Sequence, residues 1–370
     1  MSGHITSRRE RNAHPLPSAL ASNRLQDPDT QAPDMHPIPD TQAPDAHLIP
    51  DTQTPDWHGR PYHSLDAWCK NTLHRKCYKI ALNAHMTCPN RDGSKGTRGC
   101  IFCSAGGSGE FAVSTTGKSV PEQLAEGEAL LSRKTALPRD IPCIIAYFQA
   151  YTNTYAPVEY LEQVFSRALS SPRVCGISIA TRPDCLPEDV LDLLSSLKDR
   201  FPEKFLWVEL GLQTIHEATA RFIRRGYDLR CFEDAYGRLQ ALGIPVILHV
   251  ILGLPGESRA QMLETMAYVD RLRPFGVKLQ LLHVLQGTDL AEHYARGEFQ
   301  VLERDAYLDL VADCLERLSP EIVIHRVTGD GPRRILIAPL WSADKHSVLN
   351  GLHRRLKERG SVQGCRRALT

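Results

Sequence analysis

Between residues 78 and 284 the chain alternates short apolar runs with stretches whose apolar residues recur at helical spacing. The runs are 78–83 (YKIALN), 143–149 (CIIAYFQ), 174–180 (VCGISIA), 205–211 (FLWVELG), 244–251 (IPVILHVI) and 277–284 (VKLQLLHV). Each is β-branched and apolar at nearly every position, the pattern of a strand buried on at least one full face. Helices are predicted in the gaps. In 157–170, Pro157 suits a first helical turn, and Val158, Leu161, Phe165 and Leu169 share a side. Pro187 opens another helix, with Val190, Leu193, Leu194 and Leu197 as its stripe. Asp228 and Ser258 are expected to cap helices 229–242 and 259–273, the second carrying Met262, Met266 and Val269 at helical spacing.

Repeated β-α units predict an α/β fold, a parallel sheet with helical crossovers. Six units make a partial (β/α)6 barrel, TIM-like but open, since closure takes eight. Ligands of such sheets gather at the carboxyl ends of the strands. Beyond this core of 64–285 come helices 288–296 and 303–318, a strand pair 321–327 and 334–341 joined through Gly329 and Gly331, and a last helix 343–359. They form a small α/β C-terminal extension, 286–370. Residues 1–60 carry neither pattern. An eleven-residue unit starts at Pro28, Pro39 and Pro50 (PDTQAPDMHPI, PDTQAPDAHLI, PDTQTPDWHGR), and its prolines exclude helix and central strand. With few large apolar side chains to offset ordering, this stretch reads as a disordered repeat tail.

Composition narrows the setting rather than the function. The 370 residues are 42% apolar and 24% charged, as in a soluble globular protein, and the net charge of +1 neither favours nor excludes nucleic acid. No apolar run is long enough to span a membrane, and no secretory h-region opens the chain. Eleven scattered cysteines suit a reducing compartment, so a cytoplasmic location is expected.

The patterned cysteines lie in 88–103 (CPNRDGSKGTRGCIFC), directly after the first predicted strand. Cys88, Cys100 and Cys103 share this loop with Gly93, Gly96 and Gly99. Three thiolates with a Cys-x-x-Cys pair point to a metal or cluster site. His85-x-x-Cys88 with Cys100-x-x-Cys103 supplies the four ligands of a structural zinc. The same thiols without the histidine can hold an iron–sulfur cluster with one iron left open, where four cysteines are the usual structural set. Spacing alone leaves both open.

Together with its neighbours, the loop resembles the radical S-adenosylmethionine superfamily, in the branch typified by the YhcC and YtqA proteins and related to the Elongator catalytic subunit. The likeness spans roughly residues 64–342 and is carried by ALNAHMTCPNRDG, GCIFC, AYFQAYTNTY (146–155), ATRPDCLP (180–187), VELGLQT (208–214), RRGYD (224–228), GLPGE (253–257) and APLW (338–341). Eleven residues separate Cys88 from Cys100, where the superfamily's commonest spacing is C-x-x-x-C-x-x-C. This is a long-loop variant, as in the Elongator-related group, and His85 is no part of the motif.

The resemblance implies a [4Fe-4S] cluster on Cys88, Cys100 and Cys103, with S-adenosylmethionine on the fourth iron, cleaved reductively to a 5′-deoxyadenosyl radical that takes hydrogen from substrate. It further implies that Gln149, Ala150, Tyr151 and Thr152 meet the methionine amino group and that Arg182 pairs with the carboxylate. Glu209 and Gln213 would hold the ribose, and Gly253 to Gly256 would let backbone approach the adenine. Cys185, after the TRPD turn, is a candidate hydrogen donor or substrate ligand, although a lone cysteine is more often a small buried residue. The other cysteines lack cluster spacing, so no auxiliary cluster is expected.

The Elongator relationship implies a transfer-RNA base as substrate, and an electron donor such as flavodoxin or ferredoxin. Arg224 and Arg225, with Arg354, Arg355, Lys357, Arg359, Arg366 and Arg367, are the basic residues that can meet phosphates. A small metabolite is the alternative substrate, and a zinc-stabilised nucleic-acid-binding protein without catalysis is the alternative class. The oligomeric state is not written in the sequence.

Overall fold

The computed structural model describes residues 56–107, 109, 112, 117–329 and 331–367. The repeat tail therefore lies outside the described residues as far as residue 55. Within its last units Trp57 is described, and it is buried and stacked on His63 at 6.1 Å between ring centroids.

The elements follow in the order α1 (Leu65–Leu73), β1 (Tyr78–Leu82), α2 (Val120–Ser132), β2 (Ile144–Phe148), α3 (Val158–Leu169), β3 (Val174–Thr181), α4 (Glu188–Arg200) and β4 (Phe205–Gln213). Then come α5 (Glu217–Phe222), α6 (Leu229–Ala241), β5 (Val246–Leu252), α7 (Arg259–Leu272), β6 (Gly276–Leu281), β7 (Val284–Leu285) and α8 (Asp289–Ala295). The chain closes with α9 (Arg304–Arg317), β8 (Val323–Arg326), β9 (Leu336–Ala338) and α10 (Lys345–Glu358). Asp228 and Ser258 cap α6 and α7 through the amides of Cys231 and Gln261, at 2.8 and 3.3 Å.

Seven strands pair in parallel in the order β1-β2-β3-β4-β5-β6-β8 and curl into a half-barrel. Alternate side chains of each strand point to opposite faces. One set, including Leu82, Phe148, Ile177, Leu210, Leu248 and Leu279, is wholly buried against the helices. Burying each such side chain contributes about 1.5–3 kcal/mol, and Phe148 meets Phe165 of α3 edge-on at 5.1 Å. The other set faces the lumen. At the amino ends of the strands that lumen is plugged by Trp207, Phe205, Phe275 and Trp68 of α1.

The strand pair expected over 321–327 and 334–341 does not form. β8 instead joins β6 in parallel and becomes the seventh strand, while the short β9 pairs antiparallel with β7. The reason is that β6, α9 and β8 make one more crossover unit, which seats β8 on the open edge of β6. The free edge of β8 is met by the amide of Ile324 donating to the His63 carbonyl at 2.7 Å. No helix among the described residues is long and apolar enough to cross a membrane.

Candidate functional site

The cysteine loop leaves the carboxyl end of β1 and is fastened to its neighbours by backbone and side-chain bonds. Arg91 N–H returns to the Cys88 carbonyl at 2.8 Å, and Gly99 N–H to the Asn90 carbonyl at 2.7 Å. The Arg91 guanidinium lies beneath the loop and donates to the carbonyls of Cys103 and Ser104 at 2.9 and 2.5 Å. Asn90, nearly buried, donates to the carbonyl of Arg224 at 2.8 Å and to the sulfur of Cys100 at 3.4 Å. Gly107 needs to be glycine: its φ is +60°, and a Cβ there would sit 2.3 Å from the ring of Tyr151.

These bonds set the three thiols on the wall of one cavity of about 200 Å³ at the carboxyl ends of the strands. Gln149, Tyr151, Thr152, Arg182, Glu209 and Gln213 line it as well. Other residues expected at the site are elsewhere. Ala150 is wholly buried beside the wall, and Gly253 and Gly256 form a turn outside it, Gly253 packing near Leu302. Cys185 is buried under the TRPD turn, away from the cavity lining, and its thiol is pushed up to about 12 by burial.

Arg182 is engaged more fully than its sequence role suggests. It grips Asp184 with two bonds, at 2.9 and 2.8 Å, and donates to the Arg225 carbonyl at 3.0 Å. The same Nη1 stands 4.0 Å from the sulfur of Cys88. Its contribution at that wall is positive charge near sulfur rather than a free fork.

Glu209 lines the cavity as expected, but its carboxylate is already engaged. Its Oε1 accepts from Lys79 at 2.9 Å and Ser178 at 2.6 Å, and its Oε2 from His249 at 2.7 Å and from Lys278. With both oxygens occupied it serves as the buried counter-charge of the lumen. Burial opposes its ionisation, but Lys278 and Lys79 outweigh that and hold the carboxyl below its ordinary range. Burial, with help from Lys278, lowers His249 to about 4, so at neutral pH its ring is uncharged and donates Nε2–H to Glu209. Sequence reasoning passed over Lys79, Ser178, His249 and Lys278. The available signal was a polar residue at an inner position of an otherwise apolar strand.

The wall fits a thiolate-bound cluster and its nucleoside ligand. Burial and Cys103 push the Cys100 thiol up to about 12, so it keeps its proton until a metal cation binds the sulfur and displaces that proton to solvent. Gln213, at φ +64°, keeps a buried Oε1 with no hydrogen-bond partner at the cavity, an acceptor suited to a ribose hydroxyl. His85 does not fit the zinc alternative: it is exposed and absent from the cavity lining. Among the described residues, no three His, Cys, Asp or Glu side chains, the three loop cysteines included, stand close enough together to hold a metal ion as they are.

Comparison with known proteins gives the family. The family model described as the Radical SAM superfamily matches residues 93–269, and the Radical_SAM C-terminal domain matches 274–358. The chain is 45% identical over 303 residues to protein YtqA of Bacillus subtilis (strain 168), covering 82% of this chain and 92% of that protein. It is 36% identical over 290 residues to YhcC of Escherichia coli (strain K12), covering 78% and 90%. Among solved structures, the archaeal Methanocaldococcus infernus Elp3 with an N-terminal deletion superposes with a TM-score of 0.57 at 17% identity, over 78% of this chain and 65% of that one. The chain belongs to the radical S-adenosylmethionine superfamily, enzymes whose cofactors are a [4Fe-4S] cluster and S-adenosylmethionine.

Proposed function

We propose that Cys88, Cys100 and Cys103 hold the cluster at this cavity and that the radical formed there modifies a transfer-RNA base. The observation that carries the first half is the gathering of these three thiols with the unpaired Gln213 oxygen on one cavity wall. When bound, the cluster supplies the electron that breaks the sulfonium bond of S-adenosylmethionine. The chain's own part is to orient and to exclude water. Asn90 steadies the Cys100 sulfur and Arg182 offsets charge at Cys88, while Phe102, Ile223 and Ile251 make one side of the cavity apolar.

The transfer-RNA half is supported by the likeness to Elp3 and by exposed Arg354 and Lys357. A cytoplasmic location goes with this reading, since thiols stay reduced there, and so does an electron donor of the flavodoxin or ferredoxin kind. The test is anaerobic reconstitution followed by reductive cleavage of S-adenosylmethionine. The wild type should yield 5′-deoxyadenosine and Cys100→Ala none; equal yields would overturn the assignment. Comparing modified nucleosides of wild-type and deletion cells then tests the RNA half.

A second substrate reading, a small metabolite, has an observation of its own. Most of the basic residues offered for phosphates are already paired. Arg355 meets Asp309 at 2.6 Å, Arg359 meets Asp313 and Glu316 at 2.9 and 3.2 Å, and Arg367 meets Asp270 at 2.7 Å. Arg366 pairs with Glu316 at 3.3 Å, Arg224 with Asp289, and Arg225 is buried against Glu217.

A further inference from the structure

A second chamber of about 340 Å³ lies inside the half-barrel and adjoins the cysteine cavity through Tyr147, Gln149, Lys278 and Gln280. Of the site residues expected from the sequence, Gln149 alone touches it, and none of the three loop cysteines does. Among the described residues that line it, the charged ones are Lys79, Lys278 and Arg326, with no carboxylate.

Among the described residues, the carboxylate that serves both lysines is Glu209, which lines the neighbouring cavity instead. An ammonium has three N–H donors. Lys79 spends one on Glu209 and stands 4.8 Å over the Tyr147 ring. Lys278 spends one on Glu209 and one on the Tyr147 hydroxyl, at 2.9 Å. His325 adds a ring whose two nitrogens are both buried without a hydrogen-bond partner. The N–H groups that the two lysines do not spend on Glu209 and Tyr147, and the unpartnered His325 ring on the same chamber, can take an acceptor from outside.

Following the small-metabolite reading of the substrate rather than the transfer-RNA one, we propose that this chamber is the substrate subsite and that Lys79, Lys278 and His325 hold the carboxylate or phosphate group of a small anionic molecule there. An anion would also relieve the crowding of like charge that, after burial, helps to push Lys278 and His325 down. The shared wall at Tyr147 and Gln149 sets that molecule against the cysteine cavity, within reach of hydrogen abstraction. This last point rests on the cysteine cavity being the S-adenosylmethionine site; the binding of the anion does not.

The test is calorimetric titration of the full chain, cluster reconstituted, with succinate, with inorganic phosphate and with uncharged succinamide. One or both anions should bind saturably and succinamide should not, the tighter anion naming the class. Lys79→Gln should weaken binding about tenfold, the loss of one charge-assisted hydrogen bond, and Lys79→Arg should restore most of it. His325→Phe, which keeps the ring, should also weaken it. Absence of saturable anion binding, or equal affinity in Lys79→Gln and wild type, overturns the subsite. A parallel titration with S-adenosylmethionine separates the two readings. If it binds and the anions do not, the subsite alone falls; if the anions bind and it does not, the cysteine-cavity reading falls and the subsite stands.

Discussion

The two faces of the same seven strands do different work. Toward the helices, Leu82, Phe148, Ile177, Leu210, Leu248 and Leu279 are wholly buried among other apolar side chains. Toward the lumen, at positions of opposite parity along the same strands, stand Lys79, Ser178, Glu209, His249 and Lys278 in one hydrogen-bonded group. A flat parallel sheet covered by helices on both sides has apolar positions throughout. Curling leaves a lumen too narrow for helices but wide enough for ligands, so alternate positions can be polar provided that they pair with one another. Stability is therefore concentrated on the outer face and chemistry on the inner one.

That division can be broken by mutation. Glu209→Gln should have the largest effect, since it removes the counter-charge of two lysines. Breaking a buried ion pair costs roughly 3–5 kcal/mol, measurable by denaturant unfolding, and S-adenosylmethionine cleavage should fall with it. Replacing Lys278 by Met in the same chain should recover part of the stability but none of the activity. On the outer face, Phe165→Ala should cost about 3–5 kcal/mol, while the affinity of the folded protein for S-adenosylmethionine stays as in the wild type. A comparable loss of affinity in Phe165→Ala would show that the faces are not separable.

The inner face should also be sensitive to acid where the outer face is not. The His249 ring takes a proton at its ordinary 6.5 when unfolded but only near 4 in the fold. The unfolded chain thus binds more protons between those values, and stability falls as pH drops through them, by about 3 kcal/mol at the lower end. Unfolding midpoints should fall from pH 7 to pH 4, and His249→Gln should make that fall shallower, leaving the share of His325, which burial also holds below its ordinary value. Smallest of all should be His85→Ala. An exposed side chain outside the cavity should change stability by less than about 0.5 kcal/mol, and the reconstituted iron content should be unaltered. Loss of metal in that variant would revive the zinc alternative.

Much of this was legible in the chain itself. The strand and helix order, the caps at Asp228 and Ser258 and the three cysteines depend on contacts a few residues apart, which local spacing records. The inner polar group was half legible. A lysine in YKIALN and another in GVKLQL, a glutamate in LWVEL and a histidine in VILHVIL each interrupt an apolar strand at a lumen position. One strand alone does not reveal that these interruptions meet, because they come from elements up to 199 positions apart, as Lys79 and Lys278 are. Gly253 and Gly256 carried a motif-like signal, yet their positive φ values serve a turn beyond the cavity.

Local sequence thus settled which segments would be strands, which residues would start the helices and where sulfur would collect, because short-range geometry decides each of these. The fold settled the pairing of β8 with β6 and the partners of every charge. Arg359 reads as a phosphate contact in a basic stretch and becomes a partner of Asp313 and Glu316 only when α10 packs on α9. Glu209 reads as a ribose ligand and becomes a counter-ion only when four strands bring Lys79, Ser178, His249 and Lys278 around it. Electrostatic energy depends on separation in space and on burial, and neither quantity exists until the chain has folded.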